Sequence, residues 1–338
     1  MLLEERKNKV VTLKDIADAA GVTTATVSRA LNDGPGVKPA TRDKIMAIAR
    51  QLNYFSGSPA KRVSGTKPNS IGIIWSYAYG LFFNHVCLEL QRQAALRGYY
   101  SLVSFAPPDE ALLHMNEHGI DKVFFWCGPG WKPSLEFLQE KQRFHGEMLV
   151  VGGGSIEGAH RLSIDRVGAI KKAIHHLAEL GHKRIAFVGA SSEKLVGYTL
   201  GLLENRLEYD PEFFVQPLNG SMPEQQIAKL LVHNDKPQRP TAVIVDSHGY
   251  LFPFLQTIRK LKLSVPEHFS LVAYELIPEL EKLLEVPITA VGPRYERLAE
   301  RSLDLLLSGA GGQPEGHWQD LMLETELIVR ESTASPQE

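Results

Sequence analysis

The sequence predicts a small all-α helix-turn-helix head joined to an α/β core of two doubly wound, parallel-sheet lobes. Three observations carry this. The first fifty or so residues space their apolar side chains by three and four and contain no strand-like run. From Ser70 onward, short continuous apolar runs alternate with helical patterns, as in strands buried on both faces. At 338 residues the chain is too long for one ordinary core, and the apolar runs divide into two sets.

In the head, Thr12 and Asp15 open a first helix. The hydroxyl can cap an orphan amide, and the acid sits at the positive end of the helix dipole. Leu13, Ile16, Ala17 and Ala20 follow at helical spacing. Gly21 supplies the positive φ of a tight turn, and Thr23 can cap a second helix. There Val27, Ala30 and Leu31 face inward, leaving Thr24, Ala25, Ser28 and Arg29 outward near the N-terminal half. A third helix, entered at Pro39, brings Ile45, Ile48 and Leu52 to close the small core.

In the body, one set of runs is SIGIIW (70–75), YSLVSFA (100–106), DKVFFWC (121–127) and EMLVVG (147–152). The second is RIAFVGA (184–190), TAVIVDS (241–247), FSLVAYE (269–275) and ITAVG (288–292). Ligands of such lobes are expected at the carboxyl ends of the strands.

Charge divides the chain the same way. The formal charge is −2, yet residues 1–62 hold eleven Lys and Arg against six acids, a net +5 that leaves −7 for the remainder. A basic module on an acidic body suits one part that meets nucleic acid and another that does not. No apolar run is long enough for a membrane span, and the N-terminus is charged rather than signal-like, so a cytoplasmic location without membrane attachment is expected. Cys87 and Cys127 are isolated and read as free thiols.

The string VTLKDIADAAGVTTATVSRALNDGPGVKPATRDKIMAIARQLNY (11–54) resembles, almost position by position, the head of the lactose-repressor (LacI/GalR) family of bacterial transcriptional regulators. More loosely, the likeness continues to about residue 330. It implies that Thr24, Ala25 and Arg29 read bases in the major groove, Arg29 by a bidentate pair with guanine. Thr12, Thr23, Thr26, Ser28, Asn32 and Thr41 would position the DNA backbone. The hinge that follows departs from the pattern. Tyr54 and Ala60 match, but Ser56-Gly57 replace Pro-Asn and Val63 replaces a leucine. Ser58-Pro59 can still start a short helix, with Ala60 and Val63 as the minor-groove contact. A flexible linker is the other reading.

For the body the resemblance implies a periplasmic-binding-protein-like core closing around an effector. Landmarks are LAELGHKRIA (177–186), PTAV (240–243) and PITAV (287–291). The expected organisation is a head at 1–55, a hinge at 56–66 and a core at 67–338. Its first lobe would take about 70–160 and 291–318, its second about 163–288 and 320–331. The chain would cross between lobes near 158–164, 286–292 and 317–322.

At the ligand positions the pattern fails. Lys194 stands for a sugar-gripping arginine, Ser247-His248 for Asn-Asp, Glu275 for an aspartate, and Arg166 for an asparagine after Asp165. Lysine lacks the planar guanidinium fork. The cleft is therefore expected from Phe82, Trp126, Asp165, Lys194, Ser247, His248 and Glu275, with Phe82 and Trp126 as an aromatic platform or as ordinary core. Lys194 and His248 would suit an anionic group, so the effector is expected to be sugar-like or an anionic metabolite.

Other signals carry less. Gly152–Gly158 lacks the GxGxxG spacing and reads as a crossover between lobes. His114 and His118 lack a third metal ligand, and residues 331–338 read as a plain tail. No cofactor, metal or catalytic constellation is expected. The partners expected are double-stranded DNA with a palindromic operator, a second copy of the chain, and a small-molecule effector. The alternative is a regulator whose core answers to a protein corepressor or has lost effector binding.

Overall fold

The computed structural model describes residues 12–31, 34–52, 69–76, 80–128, 130–189, 192–217, 223–233, 239–283, 285–308 and 318–337. The chain forms two compact units, 1–68 and 69–338.

In the first unit, α1 (Leu13–Ala20) begins with a reciprocal capping box. The Thr12 backbone amide donates to Asp15 Oδ2 at 2.7 Å, and the Asp15 amide donates back to Thr12 Oγ1 at 3.4 Å. Gly21 ends the helix at φ 67°, a left-handed conformation that costs glycine little. Helix α2 (Thr24–Leu31) follows, then α3 (Pro39–Gln51). Ile16, Ala17, Ala20, Val27, Ala30, Ile45 and Ala49 form the core, with Leu31, Ile48 and Leu52 packed against it half-buried.

The second unit holds two six-stranded sheets. The first lobe runs β1 (Ser70–Ile74), α4 (Leu81–Leu96), β2 (Tyr100–Ser104), α5 (Pro108–Glu117), β3 (Lys122–Cys127), α6 (Leu135–Arg143), β4 (Glu147–Gly152) and β5 (His160–Ile164). The second runs α7 (Arg166–Glu179), β6 (Ile185–Val188), α8 (Ser192–Glu204), β7 (Phe214–Val215), α9 (Glu224–Ala228), β8 (Ala242–Val245), α10 (His248–Lys260), β9 (Ser270–Leu276) and β10 (Thr289–Arg294). Helix α11 (Tyr295–Ser308) packs on α4 of the first lobe. Strands β11 (Asp320–Leu323) and β12 (Glu326–Ile328) then complete one sheet each.

The orders are β11-β5-β4-β3-β1-β2 and β12-β10-β9-β8-β6-β7. Every pairing is parallel except β10 with β12, so the second sheet is not wholly parallel. Side chains alternate between the faces as period two requires. Val123, Phe125 and Cys127 join the core with α5 and α6, while Phe124 and Trp126 face the other way with α4 and α11. The second lobe repeats this, with Ile244 in the core beside α7 and α8 and Val243 and Val245 in that beside α10. In both sheets the order reverses once, between β1 and β3 and between β6 and β8.

The eight expected runs are all strands, and four further strands appear among the described residues. Strand β5 occupies the stretch expected as the first crossing, so the 152–158 segment links two strands of one sheet rather than two lobes. The first sheet holds its chain to Ile164 and again to Leu323, and the second holds its chain to Arg294. The three crossings therefore lie at 165, 294–295 and 324–325. They sit side by side. The Asp165 amide donates to the Leu323 carbonyl at 3.1 Å, Thr325 Oγ1 donates to the Asp165 carbonyl at 3.4 Å, and Arg294 Nε donates to Glu326 Oε2 at 2.7 Å.

The expected plain tail is built in. Ser332 is fully buried, donating from Oγ to the Leu271 carbonyl (2.7 Å) and accepting the Thr289 amide (2.8 Å). His182, 1% exposed, donates from Nε2 to the Ala334 carbonyl at 2.9 Å. These bonds satisfy backbone groups at the amino ends of β9 and β10 that would otherwise be orphaned.

Candidate functional site

The head presents one polar face. Thr24, Ala25 and Arg29 are exposed on the side of α2 opposite Val27 and Ala30, with Ser28 and Thr26 half-buried beside them. Thr23 fixes the start of α2 by accepting the Thr26 amide at 3.2 Å, and its hydroxyl also meets Thr26 Oγ1 at 2.9 Å. Arg29 Nε donates to the Ala25 carbonyl at 3.3 Å, which holds the guanidinium along the helix. Gly34 leaves room for it, since a Cβ there would lie 3.3 Å from Arg29 Cγ. Thr12 is engaged in the capping box, and Thr41 is half-buried at the start of α3. Asn32, Ala60 and Val63 lie outside the described residues.

In the core, each reversal of strand order leaves a crevice at the strands' carboxyl ends, where open α/β sheets receive ligands. The first-lobe crevice is aromatic. Trp75 follows β1 and Trp126 lies one residue before the end of β3, their rings 5.4 Å apart. Phe83 meets Trp126 edge-on at 5.0 Å and Trp75 at 5.8 Å. Phe82 is 1% exposed and packs into the core. Trp126 is buried too, so both residues follow the ordinary-core alternative rather than the platform, and the half-buried Phe83 is the aromatic side chain nearer solvent.

The second-lobe crevice is charged, and both Lys194 and Arg166 are paired with carboxylates. Lys194 on α8 is buried, and its Nζ donates to Asp246 Oδ1 at 2.8 Å and to the Asp246 carbonyl. The ammonium also lies 3.7 Å over the Tyr274 ring. Gly189 makes this possible, because a Cβ there would fall 2.3 Å from that of Asp246. Arg166 donates from one nitrogen to Glu193 Oε2 and to the Gly152 carbonyl, both at 2.9 Å. It thus ties the end of β4 in one lobe to the start of α8 in the other. The Tyr274 hydroxyl is buried with no hydrogen-bond partner among the described residues. Burial pushes its acidity well below that of an ordinary phenol, against the opposing pull of nearby Arg166.

The remaining expected cleft residues divide. Asp165 is the N-cap of α7, accepting the Gly168 amide at 2.8 Å. Ser247 holds the N-cap position of α10 with no side-chain cap bond. His248 is in α10, and its side chain lies outside the described residues. Glu275 is buried at φ 81°, where the β9–β10 register shifts between Val291 and Arg294. Such a bulge re-aims a side chain at a strand end, at a cost of order 1–3 kcal/mol for the positive φ. The structure brings Lys194 together with Asp246, which the sequence reading passed over. The signal was present, since Asp246 lies in the TAVIVDS run immediately before the Ser247-His248 pair. With its charge committed to Asp246, Lys194 does not offer the anion-binding ammonium expected of it.

His114 and His118 are exposed, and no group of three or more metal-ligating side chains occurs among the described residues. No described helix is long and apolar enough to cross a membrane.

Comparison with known proteins covers both units. Residues 12–56 match the family described as bacterial regulatory proteins, lacI family, and residues 174–333 match the periplasmic binding protein-like domain. The HTH-type transcriptional repressor CytR of Escherichia coli (strain K12) is 28% identical, over 97% of this chain and 98% of its own. Catabolite control protein A of Priestia megaterium is 26% identical, over 85% of this chain and 89% of its own. Among solved structures, a lac repressor dimer bound to operator and the anti-inducer ONPF superposes with a TM-score of 0.70 at 20% identity, covering 96% of this chain and 100% of that one. A complex of the transcriptional regulator CelR with cellobiose gives 0.64 at 23%, covering 96% and 100%. These two structures share the fold.

Proposed function

Because this chain belongs to the lacI family of bacterial regulatory proteins, a DNA-binding repressor family rather than an enzyme family, we propose that it acts as a homodimer on a palindromic operator, released or tightened by a neutral, sugar-like effector. The observation that carries the DNA half is the exposed Thr24-Ala25-Arg29 face, fixed by the Thr23 cap and backed by a buried core. One short helix reads few base pairs, and two-fold symmetry doubles the contacts. Thr23, Thr26 and Ser28 flank this face and would meet phosphates.

The effector half rests on charge. Both cations of the second-lobe crevice hold carboxylates, so a ligand bearing a net negative charge would meet no uncommitted cation among Lys194 and Arg166. The half-buried Phe83 ring, set edge-on against the buried Trp75 and Trp126, offers an apolar surface suited to the C–H face of a sugar, and the buried Tyr274 hydroxyl has no hydrogen-bond partner among the described residues. The neighbour solved with cellobiose is consistent with that chemistry.

The test pairs two measurements on the full chain. Selection of bound sites from random duplex DNA should return an inverted repeat, and recovery of a single unrepeated half-site would overturn the dimeric reading. Titration with neutral sugars, followed by tryptophan fluorescence, should quench Trp75 and Trp126 and shift operator affinity. The second reading is a core controlled by a protein corepressor, favoured by the Lys194–Asp246 pair that already satisfies the crevice. Retained operator binding without a response to any neutral sugar would select it.

A further inference from the structure

At the opposite end of the second sheet lies a cavity of about 930 Å³ that the effector reading does not use. Its walls come from the segments that precede β6, β8 and β9, so it opens at the amino ends of these parallel strands, whereas the crevice of Lys194 and Asp246 lies at their carboxyl ends. Pro336 and Gln337 of the fastened tail form a further wall. Three separate stretches of chain bring Lys183, Arg184, Arg239 and His268 to it, with Glu267 as the one carboxylate among the described lining residues.

The disposition of these cations differs from that of several others in the same lobe. Arg166, Lys171, Lys194, Lys229 and Lys260 each hold a carboxylate. Around the cavity, Arg184 donates from Nε to the Arg239 carbonyl at 2.7 Å, and Arg239 donates from one terminal nitrogen to the Leu231 carbonyl at 3.1 Å. Both guanidiniums are thereby oriented by backbone, and among the described residues neither forms an ion pair. The half-buried Arg184 and Arg239 have shed part of their hydration without gaining a counter-charge among the described residues. His268 adds a donor. Its Nδ1 accepts the Ser264 amide at 3.1 Å, and because an amide can only donate, the ring proton of the neutral imidazole resides on Nε2. All this occurs on a body whose overall charge is negative.

We propose that this cavity binds a phosphorylated small molecule, with Arg184 and Arg239 gripping the phosphate and Lys183 and His268 completing its charge and hydrogen bonds. Planar guanidiniums with spare N–H groups match tetrahedral oxyanions, and orientation by backbone reduces the entropy lost on binding. The site goes beyond the effector reading and stands independently of it. An anion held here touches the leading ends of β6, β8 and β9 and the tail clasped to them, so it would stabilise the second lobe.

Calorimetric titration of the full chain with inorganic pyrophosphate, and separately with a hexose monophosphate, tests this. One saturable site per chain is expected, with affinity lowered at least about tenfold in Arg184→Gln, the size of a lost charge-assisted hydrogen bond. Lys183→Glu, an exposed change that should leave the fold intact, should also weaken binding, whereas Lys171→Gln, at a lysine of the same lobe outside the cavity, should not. A response to pyrophosphate and ester alike supports a site for the phosphate group itself. A response to the ester alone supports a site that also reads the organic part. Absence of saturable heat with both probes, or an affinity indifferent to Lys183→Glu, would overturn the proposal. Because the neutral-sugar titration is read by Trp75 and Trp126 in the other crevice, either site can fail while the other stands.

Discussion

Lys194 Nζ donates to Asp246 Oδ1 at 2.8 Å with both side chains buried, so the cation and anion at the mouth of the second-lobe crevice neutralise one another. Removing one partner of such a pair leaves the other charge stranded in a poorly solvated site. Lys194→Met should therefore cost about 3–5 kcal/mol of core stability. The double variant Lys194→Met/Asp246→Leu should recover much of that loss. Urea midpoints at constant m value read both effects, and a single variant within about 1 kcal/mol of the parent chain would show that the pair is not structurally coupled.

Arg29→Ala should leave the thermal stability of the head unchanged, because the side chain is exposed and its described hydrogen bond is to its own helix. Its effect should fall on DNA, costing about 1–3 kcal/mol at a selected half-site and relaxing discrimination at one base pair. Fluorescence anisotropy against the selected site and its single-base variants separates this from a phosphate contact, which would weaken all sequences alike.

Burial holds His182 below its ordinary value of 6.5, since the neutral ring fits between Thr241, Ser270 and the Ala334 carbonyl while an imidazolium would be poorly solvated. The unfolded chain therefore takes up the proton first as pH falls. His182 contributes its full stability above about 6.5 and loses it progressively below, through the lower folded value. Half-buried His176, also held low by burial, acts in the same direction. Denaturant midpoints measured from neutral to mildly acidic pH should decline, and His182→Gln should flatten that decline. A slope unchanged in the variant would assign the acid sensitivity elsewhere.

The Cys127 thiol is buried and pushed up to about 11 by loss of solvation, so very little thiolate exists at neutral pH. Cys87 is raised by burial too, but is partly accessible on α4. Iodoacetamide should label Cys87 first in the folded chain and Cys127 only on unfolding, as read by peptide mass spectrometry. Equal labelling rates in the native state would contradict the packing of Cys127 beneath Gly154.

The parts of this molecule that were legible in the sequence are those where pattern and packing agree. The capping box at Thr12 and Asp15, the Gly21 turn and the fully buried strands each declare themselves locally. Strand β5 did not, because HRLSI is too polar to form the continuous apolar run that marks the eight expected strands, and neither did the short β7, β11 and β12, whose partners are remote in sequence. The crevice was half legible. The family resemblance located Lys194, but only the three-dimensional approach of α8 to the end of β8, through the gap at Gly189, reveals that Asp246 takes its charge. Likewise Phe82 and Phe83 are indistinguishable by type, and helix rotation alone decides which ring is buried.

The three crossings fastened together through Asp165, Leu323, Thr325, Arg294 and Glu326 have a mechanical consequence. A single strap would let the lobes swing, slide and rotate freely, whereas three neighbouring straps tied by hydrogen bonds suppress sliding and leave mainly bending and twisting about one axis. A ligand bridging the crevices would then be converted into a rotation of defined direction, since few other displacements remain available to the two lobes.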